Sequence, residues 1–286
     1  MRLVQTGPAI GLLAQLVILL ALAESVGLTG SGWVVGMTCG LITNAGLTRG
    51  LARHADHDAD HDADHDADHD ADHRGGGGLR PADRVTLTRA TLAGAVAALT
   101  ADSFGRPAPM TALVSLTVIA LVLDADDGWV ARRTETASPL GAQFDMEVDA
   151  FLILVLSVYV SRSSGVWVLA IGAARYLLLA AGWLLPWLRE SVPPRYWRKV
   201  VAAIQGIVLT FAMADVLSGL WADAALAAAL ALLAESFGRD IWGLWRRRRV
   251  APGPLAIGTA IGTAIKEPYG SLELSARRGG EVPRWS

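Results

Sequence analysis

Long apolar stretches separated by short polar turns dominate the chain. One apolar run covers residues 9–28 and a second covers 33–47. Six more follow a polar tract, over about 84–100, 109–123, 142–161, 166–187, 200–217 and 222–244. Runs of this length and apolarity predict membrane-spanning helices. The pattern predicts an all-α, polytopic integral membrane protein of about eight spans, a six-helix core preceded by an N-terminal transmembrane pair. Expected boundaries are 1–50 for the N-terminal hairpin, 51–80 for a linker, 81–249 for the core and 250–286 for a disordered tail. Ala21-Leu22-Ala23 resembles a signal-peptide cleavage pattern, but the second apolar stretch so close behind favours an uncleaved span.

Composition supports this reading. The chain of 286 residues is 52% hydrophobic and 18% charged, with mean hydropathy +0.39. That is too apolar for an ordinary soluble domain. Nine of the 27 acidic residues lie within 54–73, which leaves 18 against 25 basic ones elsewhere. The basic residues recur at every second crossing: Arg84 and Arg89, Arg132 and Arg133, Arg189 to Lys199, and Arg246 to Arg249. By the positive-inside rule these turns face the cytoplasm of a multi-pass cell-membrane protein. One cysteine, Cys39, excludes an internal disulfide.

The linker reads HADHDADHDADHDADHDADH and holds all six histidines. With no apolar residue larger than alanine, it is expected to be disordered. Its imidazoles and carboxylates also suit weak binding of Zn²⁺ or Ni²⁺.

The distinctive stretch is DADDGWVARRTETASPLGAQFDMEVD, from Asp124 to Asp149. Read as two helices joined by a polar turn, it places Asp124, Asp127, Gly128, Ala131 and Arg132 within an arc of roughly 140°. Ser138, Gly141, Asp145 and Asp149 share one side of the second helix. Asp126 and Glu147 point away from these faces. Four converging carboxylates repel unless cations lie among them. Oxygen-only ligands favour Mg²⁺ or Mn²⁺, and two such ions can clamp a diphosphate. Arg132 can hold phosphate oxygens bidentately.

The spacing D-x2-D-G-x2-A-R-x8-G-x3-D-x3-D resembles the signature of the CDP-alcohol phosphatidyltransferase family over about residues 80–249. The resemblance implies transfer of a phosphatidyl or related group from a CDP-linked lipid donor to an alcohol acceptor, releasing CMP, in phospholipid biosynthesis. It implies that Asp124, Asp127, Asp145 and Asp149 ligate two Mg²⁺ or Mn²⁺ ions. Asp149 is then the residue that takes the proton of the attacking hydroxyl. Gly128, Ala131, Arg132, Ser138 and Gly141 match substrate-binding positions. Family members often begin the core with Asn-x-x-Thr-x-x-Arg. Here that becomes Asp83-x-x-Thr86-x-x-Arg89, which adds Thr86 and Arg89 and departs at Asp83.

Arg175 lies inside an apolar run and is a candidate ligand for an anionic acceptor. Glu235 and Arg239 are spaced to pair on one helix face. Gly32, Gly36 and Gly40 permit close helix contact, including a homodimer. Membrane lipids are expected partners and nucleic acid is not. A divalent-metal transporter or metal-sensing membrane protein using the His/Asp loop is the competing reading, but no histidine lies in any predicted span.

Overall fold

The computed structural model describes residues 6–62, 81–134, 139–185, 187 and 196–250. These form eight α-helices: α1 (Thr6–Val26), α2 (Gly30–Asp62), α3 (Pro81–Asp102), α4 (Met110–Thr134), α5 (Pro139–Ser164), α6 (Leu169–Leu184), α7 (Tyr196–Met213) and α8 (Gly219–Val250). A short 3₁₀ turn, Val166–Val168, leads into α6. No strand occurs among the described residues. The chain is an all-helical polytopic membrane protein, as the hydrophobic pattern predicts.

Three segments are long and apolar enough to cross a bilayer on length and composition alone: Ala9–Val26, Val166–Leu184 and Gly219–Arg246. Met110–Asp124 is a shorter apolar helix. The remaining helices carry polar residues. Many of these are buried against neighbours, such as Arg89 and Thr91 on α3 and Gln205 on α7. Large apolar side chains instead cover the outside, among them Leu13, Ile42, Val122, Leu177, Phe211 and Leu220. A bilayer rewards this inversion, because each polar group finds its partner within the protein. Gln205, for instance, donates from Nε2 to the Ala229 carbonyl at 2.7 Å, tying α7 to α8.

α3 is the central helix. From Thr86 to Thr100 only Thr88 is exposed. It packs on α1 and α2 along one side and on α4 and α5 along the other. Six of its residues between 90 and 98 are alanine or glycine, which lets neighbouring backbones come close. The glycines of α2 serve the same contact. A Cβ on Gly36 would lie 2.6 Å from Leu19 Cδ2 and 3.1 Å from Ala98 Cβ; one on Gly40 would lie 2.8 Å from Gln15 Cγ. The spacing that also permitted a homodimer is therefore used within one chain.

The tightest approach lies between α5 and α6. A Cβ on Gly172 would fall 2.5 Å from Leu154 Cα, a backbone atom that cannot swing aside. Gly172→Val is expected to force α6 away from α5 and to cost about 1–3 kcal/mol. A lowered melting temperature in detergent checks this; an unchanged one refutes the close contact.

Contacts fix which helix ends lie together. At one end, Thr29 donates its amide to Asp102 Oδ1 at 2.9 Å and its hydroxyl to the same oxygen. Arg106 Nε reaches Asp102 Oδ2 at 2.5 Å. Arg162 donates to Ser103 Oγ at 2.6 Å and lies 4.9 Å from the centre of the Phe104 ring. Burial alone would raise the Asp102 carboxyl. The Thr29 hydroxyl and amide, with Arg106, outweigh it and hold the group below the usual carboxylate range. This cluster joins the α1–α2 turn to the ends of α3 and α5. At the other end lie the starts of α3 and α5 and the end of α4.

One sequence expectation changes. α2 runs on to Asp62, eleven residues past the expected start of the linker at 51. A helix already formed extends without a new nucleation cost, which lowers the barrier to including this polar sequence. Residues 63–80 of the linker and the tail 251–286 lie outside the described residues. α4 continues through the Asp cluster to Thr134, as the helical reading of that stretch expects.

Candidate metal centre and active site

The carboxylates meet where α4 and α5 converge on α3. Asp124 enters from α4, and Asp145 and Asp149 enter from α5, four residues and so about one turn apart. One carboxylate oxygen from each lies within 4.8 Å of the other two. Each of the three side chains is about a third exposed or slightly less, so solutes can reach them. Asp127 is three residues beyond Asp124 on α4, and its side chain lies outside the described residues. Three of the four expected acids, Asp124, Asp145 and Asp149, are therefore brought together.

Arg89 lies among these carboxylates. Its side chain is 2% exposed. Nη1 bonds Asp145, Nη2 bonds Asp149, and Nη2 lies 3.0 Å from Asp124 Oδ1. The planar guanidinium spreads its donors across acids from two helices, which a lysine could not do. The sequence resemblance placed Arg89 with the substrate-binding residues; its contacts are with the carboxylates. A signal was available: an arginine at the start of a predicted membrane span needs an anionic partner. Thr86, one turn earlier on α3, is also buried.

The remaining candidates fall as follows. Gly141 is partly buried on α5, one turn before Asp145. Gly128, Ala131 and Arg132 belong to α4. Ser138 lies outside the described residues. Arg175 on α6 pairs with Glu147 at 2.5 Å, and its Nη1 lies 3.6 Å from Met146 Sδ. Glu147 thus points away from the other acids of α5, as its register predicts. Arg175 faces a carboxylate here, so its charge is already balanced. Glu235 and Arg239 pair one turn apart, and Arg198 Nε lies 3.6 Å from Asp240 Oδ2 across α7 and α8.

The donor set fits hard divalent cations. Three convergent carboxylates offer only oxygen, and Arg89 shows that the space between them accepts positive charge. No curated protein and no solved structure matches the chain. The family model for CDP-alcohol phosphatidyltransferase matches residues 80–234, from the start of α3 into α8. The match stops short of the expected limit at 249. It leaves out α1 and α2, and it encloses Arg89 and all four aspartates. More than half of the chain is covered, and the chain belongs to the CDP-alcohol phosphatidyltransferase family.

Proposed function

We propose that the protein transfers a phosphatidyl or related phosphate-linked group from a CDP-linked lipid donor, such as CDP-diacylglycerol, to an alcohol, with release of CMP. The observation that carries this is the convergence of Asp124, Asp145 and Asp149 to within 4.8 Å. Family membership supplies the reaction class: transfer of a phosphate-containing group from a CDP-alcohol.

In this reading Asp124, Asp127, Asp145 and Asp149 hold two divalent ions, Mg²⁺ or Mn²⁺. When bound, such ions neutralise the donor diphosphate and stabilise charge on its leaving oxygen. The acceptor hydroxyl oxygen forms a bond to the lipid-linked phosphorus. The P–O bond to the CMP phosphate breaks, and its electron pair leaves with CMP. Asp149 accepts the hydroxyl proton. Arg132 grips phosphate oxygens, and Gly128, Ala131, Ser138, Gly141 and Thr86 shape the donor site. Arg89 holds Asp124, Asp145 and Asp149 in one orientation. Arg175 reaches an anionic acceptor only after leaving Glu147. The basic end faces the cytoplasm, where a water-soluble nucleotide and a lipid tail are both at hand.

An acceptor screen tests the reading. Purified protein with CDP-diacylglycerol and Mg²⁺ is offered glycerol 3-phosphate, inositol phosphate, inositol, serine or phosphatidylglycerol, and CMP is measured. Release dependent on one acceptor is expected. No release with any of them, or with other CDP-linked donors, overturns it.

A further inference from the structure

Four helices surround the carboxylate centre. α3 packs on both α4 and α5, and so does α7. Arg89 reaches the acids from the α3 side and is bound to three of them. A second cation, Lys199, stands on the α7 side.

α7 runs antiparallel to α4. Ala214 and Asp215, just past the end of α7, line one pocket with Met110 and Thr111 at the start of α4. Further along, a Cβ on Gly206 would lie 2.8 Å from Leu121 Cδ2, so that face of α7 is turned to α4. Lys199 is seven residues before Gly206 on the same helix. Seven residues bring a helix round to within about 20° of the same direction. They also carry Lys199 about 10 Å towards the end of the bundle that holds the acids. Asp124 follows Leu121 by three residues in that same direction. Lys199 therefore overlooks the centre from the side opposite Arg89, and its charge acts on Asp124.

The two cations differ in what they are tied to. The Arg89 side chain is 2% exposed and held by three carboxylates. Lys199 is exposed, and among the described residues it has no ion-pair partner. Its neighbour Arg198 faces Asp240. Arg175 is engaged by Glu147, which helical register turns away from Asp145 and Asp149. A mobile ammonium beside a centre that solutes can reach is placed for a ligand rather than for the fold.

The donor diphosphate already has its counter-charges in the cations among the aspartates and in Arg132. Another free cation has no task there unless the second substrate brings its own negative charge. A neutral polyol offers an ammonium little that water does not, and serine carries an ammonium of its own. A phosphate is a strong partner for a lysine point charge. Given the reaction proposed above, on which this rests, we infer that Lys199 binds the phosphate of the acceptor, which is an alcohol bearing a phosphate group. Holding that phosphate on the α7 side leaves the acceptor hydroxyl free to turn towards Asp149.

CMP release at varied donor and acceptor concentrations tests this, in saturating Mg²⁺, with wild type, Lys199→Gln and Lys199→Arg. Wild type is expected to use glycerol 3-phosphate, inositol phosphate or phosphatidylglycerol, and neither inositol nor serine. Lys199→Gln is expected to raise KM for that acceptor about tenfold or more, with kcat and the KM for CDP-diacylglycerol within about twofold. Lys199→Arg keeps the charge and is expected to recover most of the loss, which separates lost charge from lost fold. Unchanged acceptor KM in Lys199→Gln overturns the inference, and so does release with inositol or serine. A rise in donor KM alone assigns Lys199 to the CDP-linked substrate and overturns it too. No release from wild type with any acceptor is a different failure: it removes the reaction itself, and this inference with it.

Discussion

Asp149→Ala is expected to lower CMP release by roughly 10³-fold or more, because one carboxylate serves both as cation ligand and as proton acceptor. The side chain bonds Arg89 and shares the 4.8 Å cluster with Asp124 and Asp145. Removing it deprives the attacking oxygen of its base and the diphosphate of a charge-neutralising ligand. Arg89 keeps two other acidic partners, so the bundle remains folded. Asp126→Ala is the matched control. It lies two residues from Asp124, and helical register predicts a turn of some 200° away from it. Activity within a few-fold of wild type is expected there. Full activity in Asp149→Ala, with the acceptor identified, would remove the mechanism.

The second large effect belongs to Arg89. Arg89→Met, assayed in chelator, is expected to destabilise the protein by about 3 kcal/mol, the lower part of the range for breaking a buried ion pair. The partial exposure of its three partners keeps the figure there. The mechanism is repulsion: three carboxylates within 4.8 Å lose their common cation. Saturating Mg²⁺ is expected to restore much of the loss by supplying the missing charge. Arg89→Lys keeps the charge but not the planar fork, so it should fall between. Thermal melting with and without Mg²⁺ reads all three. Equal melting of Arg89→Met and wild type in chelator would mean that the triad contributes no stability.

Much of this site could be read from the chain because its chemistry is local. Asp124 and Asp127 share one helix, Asp145 and Asp149 share the next, and a short turn makes the helices neighbours. Helical spacing alone then predicts the meeting of the two pairs, and the opposite turn of Glu147. Arg89 was legible as a matched position but not in its role, because it reaches the acids from a helix more than thirty residues away. Its partners depend on how α3 threads between α4 and α5, and no periodicity records that. The pairing of Arg175 with Glu147 was hidden for the same reason. The helical extension of α2 was misjudged because composition reports propensity and not what a segment is attached to.

Gly94 meets Gln15, Ala98 meets Gly32 and Gly36, and Leu87 adjoins Gly11, so the outer flank of α3 is already sealed by α1 and α2. The hairpin thus works like a gasket along a narrow seam of small residues. Two copies of this chain have no access to α3, and any pairing between them must run along the lipid-exposed sides of other helices. Deleting residues 1–50 would open the seam and leave Arg89 supported from one side only.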